Sequence, residues 1–165
     1  MKAIVTGSFD PITLGHMEII KYACQKYDQV YVVALVNEAK EYMFTMEQKK
    51  TLIEKAVSGF ENVIADAYVG WTADYMHSHG ITQIVRGYRN EQDMAYENEL
   101  AQKMNELDPS FNTEIIRCKD EYADISSTLV REKLESCESL EHLVPSGIID
   151  LMKNFIVRIS SEEKI

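Results

Sequence analysis

Hydrophobic positions change period several times along the chain. Ala3-Ile4-Val5 is a short continuous apolar run that stops at Thr6-Gly7-Ser8, the pattern of a buried strand ending in a turn. Met17, Ile20, Cys24 and Tyr27 then recur every three to four residues, which predicts a helix over about 13–27 with one apolar face. Residues 30–36 are seven consecutive apolar residues. A strand apolar on both faces belongs inside a parallel sheet covered by helices on both sides.

The alternation continues to the end. Thr45-Met46-Glu47-Gln48 has the spacing of a capping box and opens a helix with Leu52, Ile53, Ala56 and Val57 on one side. Residues 62–68 and 82–85 read as the third and fourth strands, with a short helix over about 72–79 between them. Met94, Leu100, Ala101, Met104 and Leu107 place a helix before Asp108-Pro109, and 113–118 is a fifth strand. Serines 126 and 127 open another helix, and after a break at Pro145 a last one turns Ile148, Ile149, Met152 and Phe155 inward. Strands alternating with helices at this pitch imply βαβ units, an α/β class and a doubly wound five-stranded parallel sheet in a single domain over 1–165.

Composition narrows the function classes. The 165 residues carry a formal net charge of −10, so the whole-molecule field repels nucleic acid and anionic membrane, and an anionic ligand needs locally placed cations. Cys24, Cys118 and Cys137 are odd in number and share no short spacing, which supports neither a disulfide framework nor a CxxC metal site. No apolar run approaches the roughly 20 residues of a membrane span. The expectation is a soluble, cytoplasmic protein.

In a doubly wound sheet, ligands bind beyond the carboxyl ends of the strands where strand order reverses. After strand one, Gly7 and Gly15 allow close backbone approach, Ser8 adds a hydroxyl, Phe9 an apolar wall, Asp10-Pro11 a shaped turn, and His16 falls in the first helical turn. Lys40 lies after strand two, Gly70-Trp71-Thr72 after strand three and Arg86-Gly87-Tyr88-Arg89 after strand four. Asp124-Ile125-Ser126-Ser127-Thr128 follows strand five, with Arg131 one turn on. Guanidinium forks at 86 and 89 match phosphate oxygens two at a time, with a pair that only bridges carboxylates as the lesser alternative. The glycines could equally serve the turn alone, with His16 a surface residue.

Thr13-Leu14-Gly15-His16 fits the (H/T)xGH signature of the nucleotidylyltransferase superfamily, and Ile125 to Arg131 resembles its ISSTxxR-type element. With "GSFDPITLGH", "MFTMEQK", "VRGYRN", "DMAYENELAQKMN" and "DISSTLVREKL" in this order, the chain resembles the bacterial phosphopantetheine adenylyltransferases over about 1–153. The resemblance implies a Rossmann-like nucleotidylyltransferase fold and adenylyl transfer from ATP to 4'-phosphopantetheine, giving dephospho-coenzyme A and pyrophosphate with Mg2+. It implies that His16, Lys40 and Arg89 carry the catalysis and that Ser8, Lys40, Thr72 and Arg86 bind the acceptor. By the same resemblance Ser8, Phe9, His16, Gly87, Tyr88, Arg89, Glu97 and the run Tyr122, Ala123, Asp124, Ile125, Ser126, Ser127 and Thr128 frame ATP. Ser8 and Thr128 stand where threonine and serine are common in that family. No protein ligand to a metal is implied. Kinship further implies a hexamer and feedback by coenzyme A.

Two rival readings remain: a nucleotidylyltransferase acting on another phosphorylated acceptor, such as nicotinate mononucleotide or glycerol phosphate, and a non-catalytic nucleotide sensor. The leading reading requires the hydroxyl at 8, the imidazole at 16 and the side chains at 40, 86 and 89 to face one cavity. His77 and His79 do not share a helix face and read as surface histidines rather than a metal pair. Trp71 reads as core or pocket wall, and Glu135, Glu138 and Glu141 as a solvated face. Residues 155–165 form a C-terminal extension of open role.

Overall fold

A computed structural model describes residues 1–162. The chain alternates β1 (Lys2–Gly7), α1 (Leu14–Lys26), β2 (Gln29–Val36), α2 (Met46–Ala56), β3 (Val63–Val69), α3 (Thr72–His79), β4 (Gln83–Tyr88), α4 (Glu91–Leu107) and β5 (Asn112–Arg117). Then follow α5 (Ser127–Glu135) and α6 (Ile149–Glu162), with single 3-10 turns at Asp120–Tyr122 and Ser146–Ile148. The five strands form one parallel sheet in the order β3-β2-β1-β4-β5.

Side chains on a strand alternate between faces, and here the alternation divides two cores. Ala3, Val5, Val30, Val32, Ala34 and Val85 pack with Ile19 and Ile20 of α1, Leu52 and Ile53 of α2, Val130 of α5 and Met152 of α6. Ile4, Tyr31, Val33 and Ile84 point the other way, against Tyr75 and Met76 of α3 and Met104 of α4. The seven-residue apolar run is thus consumed by both layers, which is why it lacks polar alternation. Helix starts follow local chemistry: Thr45 and Gln48 complete a reciprocal capping box, and Asn90 and Ser126 cap α4 and α5. Gly80 ends α3 in the left-handed region at φ 64°.

Three sequence expectations shift. β4 extends through Tyr88 because its pairing to β5 runs from Gln83 to Tyr88, so Arg86, Gly87 and Tyr88 lie in the strand and only Arg89 follows it. Trp71 is neither core nor pocket wall: it is 80% exposed at the start of α3, whose first turn it does not cap. The extension beginning at 155 continues α6 to Glu162, with Phe155 edge-on to Phe44 at 6.5 Å; residues 163–165 lie outside the described residues. His77 is exposed and bonded to Asp108, and His79 stacks on Tyr75 at 4.0 Å, so these two rings serve separate contacts.

Ile20 is fully buried in the larger core, so Ile20→Ala is expected to cost about 2–5 kcal/mol. Trp71→Ala is expected to change stability by less than about 0.5 kcal/mol. Urea denaturation followed by circular dichroism measures both.

Candidate active site

The turn from β1 to α1 is built around a folded-back phenyl ring. Phe9 is buried with φ 43°, in the left-handed region that few non-glycine residues occupy, and the Asp10-Pro11 bond is cis. Its ring lies against the end of β1, where a Cβ on Gly7 would sit 3.5 Å from the ring, and meets His16 edge-on at 4.9 Å. Thr13 caps α1 and accepts from the His16 amide, while His16 reaches back to the amide of Thr13. The histidine therefore occupies the position that glutamate or glutamine takes in an ordinary capping box.

That contact settles which ring nitrogen carries the proton. The Thr13 amide donates to His16 Nδ1 at 3.0 Å, so Nδ1 must offer its lone pair and the hydrogen resides on Nε2. Nε2 has no hydrogen-bond partner among the described residues, and the ring lines the main cavity. Burial first, then the charges of Arg86 and Arg89, hold the imidazole pKa down from 6.5 to about 4. At neutral pH the site presents an uncharged N–H donor.

Both arginines have carboxylate partners. Arg86 Nε and Nη2 donate to Glu97 at 2.7 and 2.9 Å, and Nη1 donates to the Thr6 carbonyl and hydroxyl at 3.0 and 3.1 Å. Glu97 is itself buried, so the pair is fixed from two elements, β4 and α4. Arg89 Nε donates to Asp93 at 3.0 Å and Nη1 reaches the Ile125 carbonyl at 3.5 Å, leaving Nη2 without a protein partner among the described residues. Gly87 has no room for a side chain: a Cβ would fall 2.4 Å from Ile19 Cδ1 and 3.2 Å from Cys118 Sγ.

The start of α5 closes the opposite wall. Ser126 accepts from the Leu129 amide, Ser127 Oγ donates to the Pro11 carbonyl at 2.8 Å, and Arg131 Nη1 donates to the Asp10 carbonyl at 2.8 Å. The N-termini of α1 and α5 thus face one space, an arrangement suited to an anion. This cavity of about 350 Å³ is lined by Phe9, His16, Arg86, Gly87, Arg89, Glu97, Tyr122, Ile125, Ser126 and Ser127 among the residues expected from sequence. A smaller, mostly apolar one of about 80 Å³ adjoins it, sharing Thr6 and Arg86 and bounded by Thr72, Ile84, Leu100, Ala101, Met104 and Thr113.

The five groups required to converge do so only in part. His16, Arg86 and Arg89 line the main cavity, whereas Ser8 and Lys40 are exposed on their loops outside its lining. Tyr88, Ala123, Asp124 and Thr128 also lie outside that lining, and for Tyr88 strand alternation turns the side chain away from the side Gly87 faces. Sequence reasoning passed over Thr6, Thr13, Ile19, Asp93, Tyr96 and Cys118 as cavity residues. Asp93 was findable as the carboxylate four residues from Arg89 on a helix start, and Ile19 as the next residue after His16 on the same face of α1. Thr6 and Cys118 are brought in by strand register alone.

His16 is expected to titrate near pH 4 when followed by its ring resonances in NMR. Because folding lowers its pKa, the stability it contributes is complete above about 6.5 and is lost as pH falls toward 4. A midpoint at the ordinary 6.5 would contradict the burial and the arginine charges that hold the ring neutral.

Comparison with known proteins places the chain in a family. The Cytidylyltransferase-like family profile matches residues 4–133. A phosphopantetheine adenylyltransferase of Bdellovibrio bacteriovorus is 40% identical over 154 residues, covering 93% of this chain and 96% of the relative. Another from Clostridium novyi is 36% identical over 157 residues, covering 95% and 98%. A crystal structure described as that of a candidate nicotinate-nucleotide adenylyltransferase from Vibrio parahaemolyticus superposes with a TM-score of 0.67 at 17% identity, covering 93% of this chain and 91% of the other, and so shares the fold. With the TxGH turn, the paired arginines and the serine-capped α5 all on one rim, and with such similarity along almost its whole length, the chain belongs to the phosphopantetheine adenylyltransferase family of nucleotidyltransferases.

Proposed function

We propose that this chain joins ATP and 4'-phosphopantetheine to give dephospho-coenzyme A and pyrophosphate, the penultimate step of coenzyme A biosynthesis. The observation that carries this reading is the pair of adjoining cavities with Arg86 in their common wall. The larger one, with two helix N-termini and a neutral histidine donor, suits a nucleoside triphosphate. The smaller one, with Ile84, Leu100, Ala101 and Met104, suits an uncharged flexible arm better than a second charged nucleotide.

The chemistry needs no protein nucleophile. An acceptor phosphate oxygen attacks the α-phosphorus of ATP, a new phosphoanhydride bond forms, and the bond to the β-phosphate oxygen breaks to release pyrophosphate. Catalysis is then positioning and charge stabilisation. His16 Nε2–H donates to an α-phosphate oxygen, and a donor already neutral needs no proton loss or gain through the step. Arg89 Nη2 meets phosphate charge from the other side of the cavity. Arg86, whose donors are largely spent on Glu97 and Thr6, acts as a fixed cation between acceptor and nucleotide. Lys40 and Ser8 reach the reacting phosphates from the rim.

Mg2+ would enter with the nucleotide rather than be held by side chains of this cavity. The cavity carboxylates Asp93 and Glu97 are paired with arginines, and no cluster of three His, Cys, Asp or Glu able to hold a metal occurs among the described residues. When bound, the ion neutralises charge on the leaving pyrophosphate. The same reading carries a hexameric assembly, a cytoplasmic location and inhibition by coenzyme A. No helix among the described residues is long and apolar enough to cross a membrane.

Mixing the protein with ATP, Mg2+ and each of 4'-phosphopantetheine, nicotinate mononucleotide and glycerol phosphate, then weighing the product, tests the acceptor. Dephospho-coenzyme A is expected, and turnover only with another acceptor refutes the reading. Tight ATP binding without turnover on any acceptor would favour the sensor. His16→Ala and Arg89→Ala are each expected to lower kcat by about 100 to 1000-fold with the fold retained. Gly87→Ala is expected to push Ile19 into the cavity and raise KM for ATP more than it lowers kcat, as steady-state kinetics would show.

A further inference from the structure

The stretch "MFTMEQK" supplies no residue to the cavities, yet it ends in a lysine that is completely buried. Lys49, in the first turn of α2, is 0% exposed and its Nζ has no hydrogen-bond partner among the described residues. Instead the ammonium sits over the ring of Tyr42, 3.3 Å from its centroid. A charge buried without hydrogen bonds is costly and needs a reason.

Its surroundings give one. Tyr42 belongs to the loop from β2 to α2 and its phenol oxygen accepts from the amide of Asn37, the first residue after β2, at 3.1 Å. At the other end of the loop, the amides of Met43 and Phe44 both donate to the buried carboxylate of Asp10, at 2.9 Å each. Asp10 is the acidic group whose charge favours the Lys49 ammonium, against the burial and the Arg131 charge that oppose it. Lys40 stands between these two fastenings, with its amide bonded to the Asn37 carbonyl. Its own side chain is exposed, and no hydrogen bond or ion pair holds its ammonium among the described residues.

We propose that Lys49, by clamping Tyr42 beside Asp10, is a positioning residue that sets the loop carrying Lys40 and thereby the reach of Lys40 toward the reacting phosphates. The clamp joins three elements: the β1–α1 turn through Asp10, the β2–α2 loop through Tyr42, and α2 through Lys49. Tyr42 holds its place from both sides, by the ring on Lys49 and by the hydroxyl on Asn37. The proposal rests on the reading of Lys40 as a phosphate-contacting residue, and its test separates the two.

Lys49→Met keeps the length and removes the buried charge, so it is expected to leave the thermal midpoint unchanged or higher. It should nonetheless lower kcat by roughly tenfold to a hundredfold, the scale on which small misplacements of catalytic groups act. Lys49→Arg, which keeps a cation over the ring, should restore most of kcat. Tyr42→Leu, at a half-buried position of a largely exposed loop, should reproduce the loss should Lys49→Met fail to fold. Lys40→Met combined with Lys49→Met should be no slower than Lys40→Met alone, since a misplaced lysine and an absent one cost the same interaction. Full kcat in Lys49→Met or Tyr42→Leu beside a crippled Lys40→Met overturns the clamp and leaves the reading of Lys40 standing. Full kcat in Lys40→Met overturns that reading and the clamp with it. A kcat loss in Lys49→Met that Lys49→Arg does not restore, together with a lowered thermal midpoint, assigns Lys49 a merely structural role.

Discussion

β1 and β4 are neighbours in the sheet, yet the chain leaves them toward opposite faces: α1 packs on one core and α4 on the other. A gap between the two exits is unavoidable, and the main cavity occupies it. The residues that enter it do so because of that split. Gly87 faces α1, where Ile19 and Cys118 leave no space for a side chain, while Arg86 faces α4 and meets Glu97. One residue step along a single strand thus separates the wall of one cavity from the wall shared with the other.

Charge in the site is organised as much by restraint as by attraction. The chain is strongly acidic, and both cavity arginines are held by carboxylates, so the positive field offered to a polyanion is smaller than a count of guanidinium groups suggests. The ion pairs give orientation in exchange: Arg86 is fixed by four hydrogen bonds before any ligand arrives. The anion-binding character that remains comes from Arg89 Nη2, unpaired among the described residues, and from the helix N-termini of α1 and α5, which have no acidic residue in their first turns. Burial, helped by the same arginines, keeps His16 neutral, which makes it a hydrogen-bond donor rather than a cation.

The rim is also cross-tied. Asp10 accepts two amides from the Lys40 loop through its side chain and Arg131 through its carbonyl, while Ser127 bonds the neighbouring Pro11 carbonyl. The β2–α2 loop and the helix α5, distant in sequence, are therefore held to one short turn, and a change in either is felt by the other. Such ties suit catalysis by positioning, where a donor off by a fraction of its bond length has lost most of its effect.

Much of this was legible in the residues themselves. Apolar runs and periodicity, together with turn and cap signals, located the strands and most helices to within a few residues, because burial on one or two faces leaves a recurring pattern of apolar positions. The capping residues Thr45 and Ser126 announced their helices for the equally local reason that an unpaired amide needs an oxygen nearby. What the linear order could not decide was which side a strand residue faces and whom a charge meets. That Arg86 is spent on Glu97, that His16 turns Nδ1 to the backbone, that Trp71 stands in solvent and that Lys49 lies buried on Tyr42 all depend on register and packing between segments far apart in sequence. Local pattern records what a residue needs, and only the assembled sheet and helices decide which neighbour supplies it.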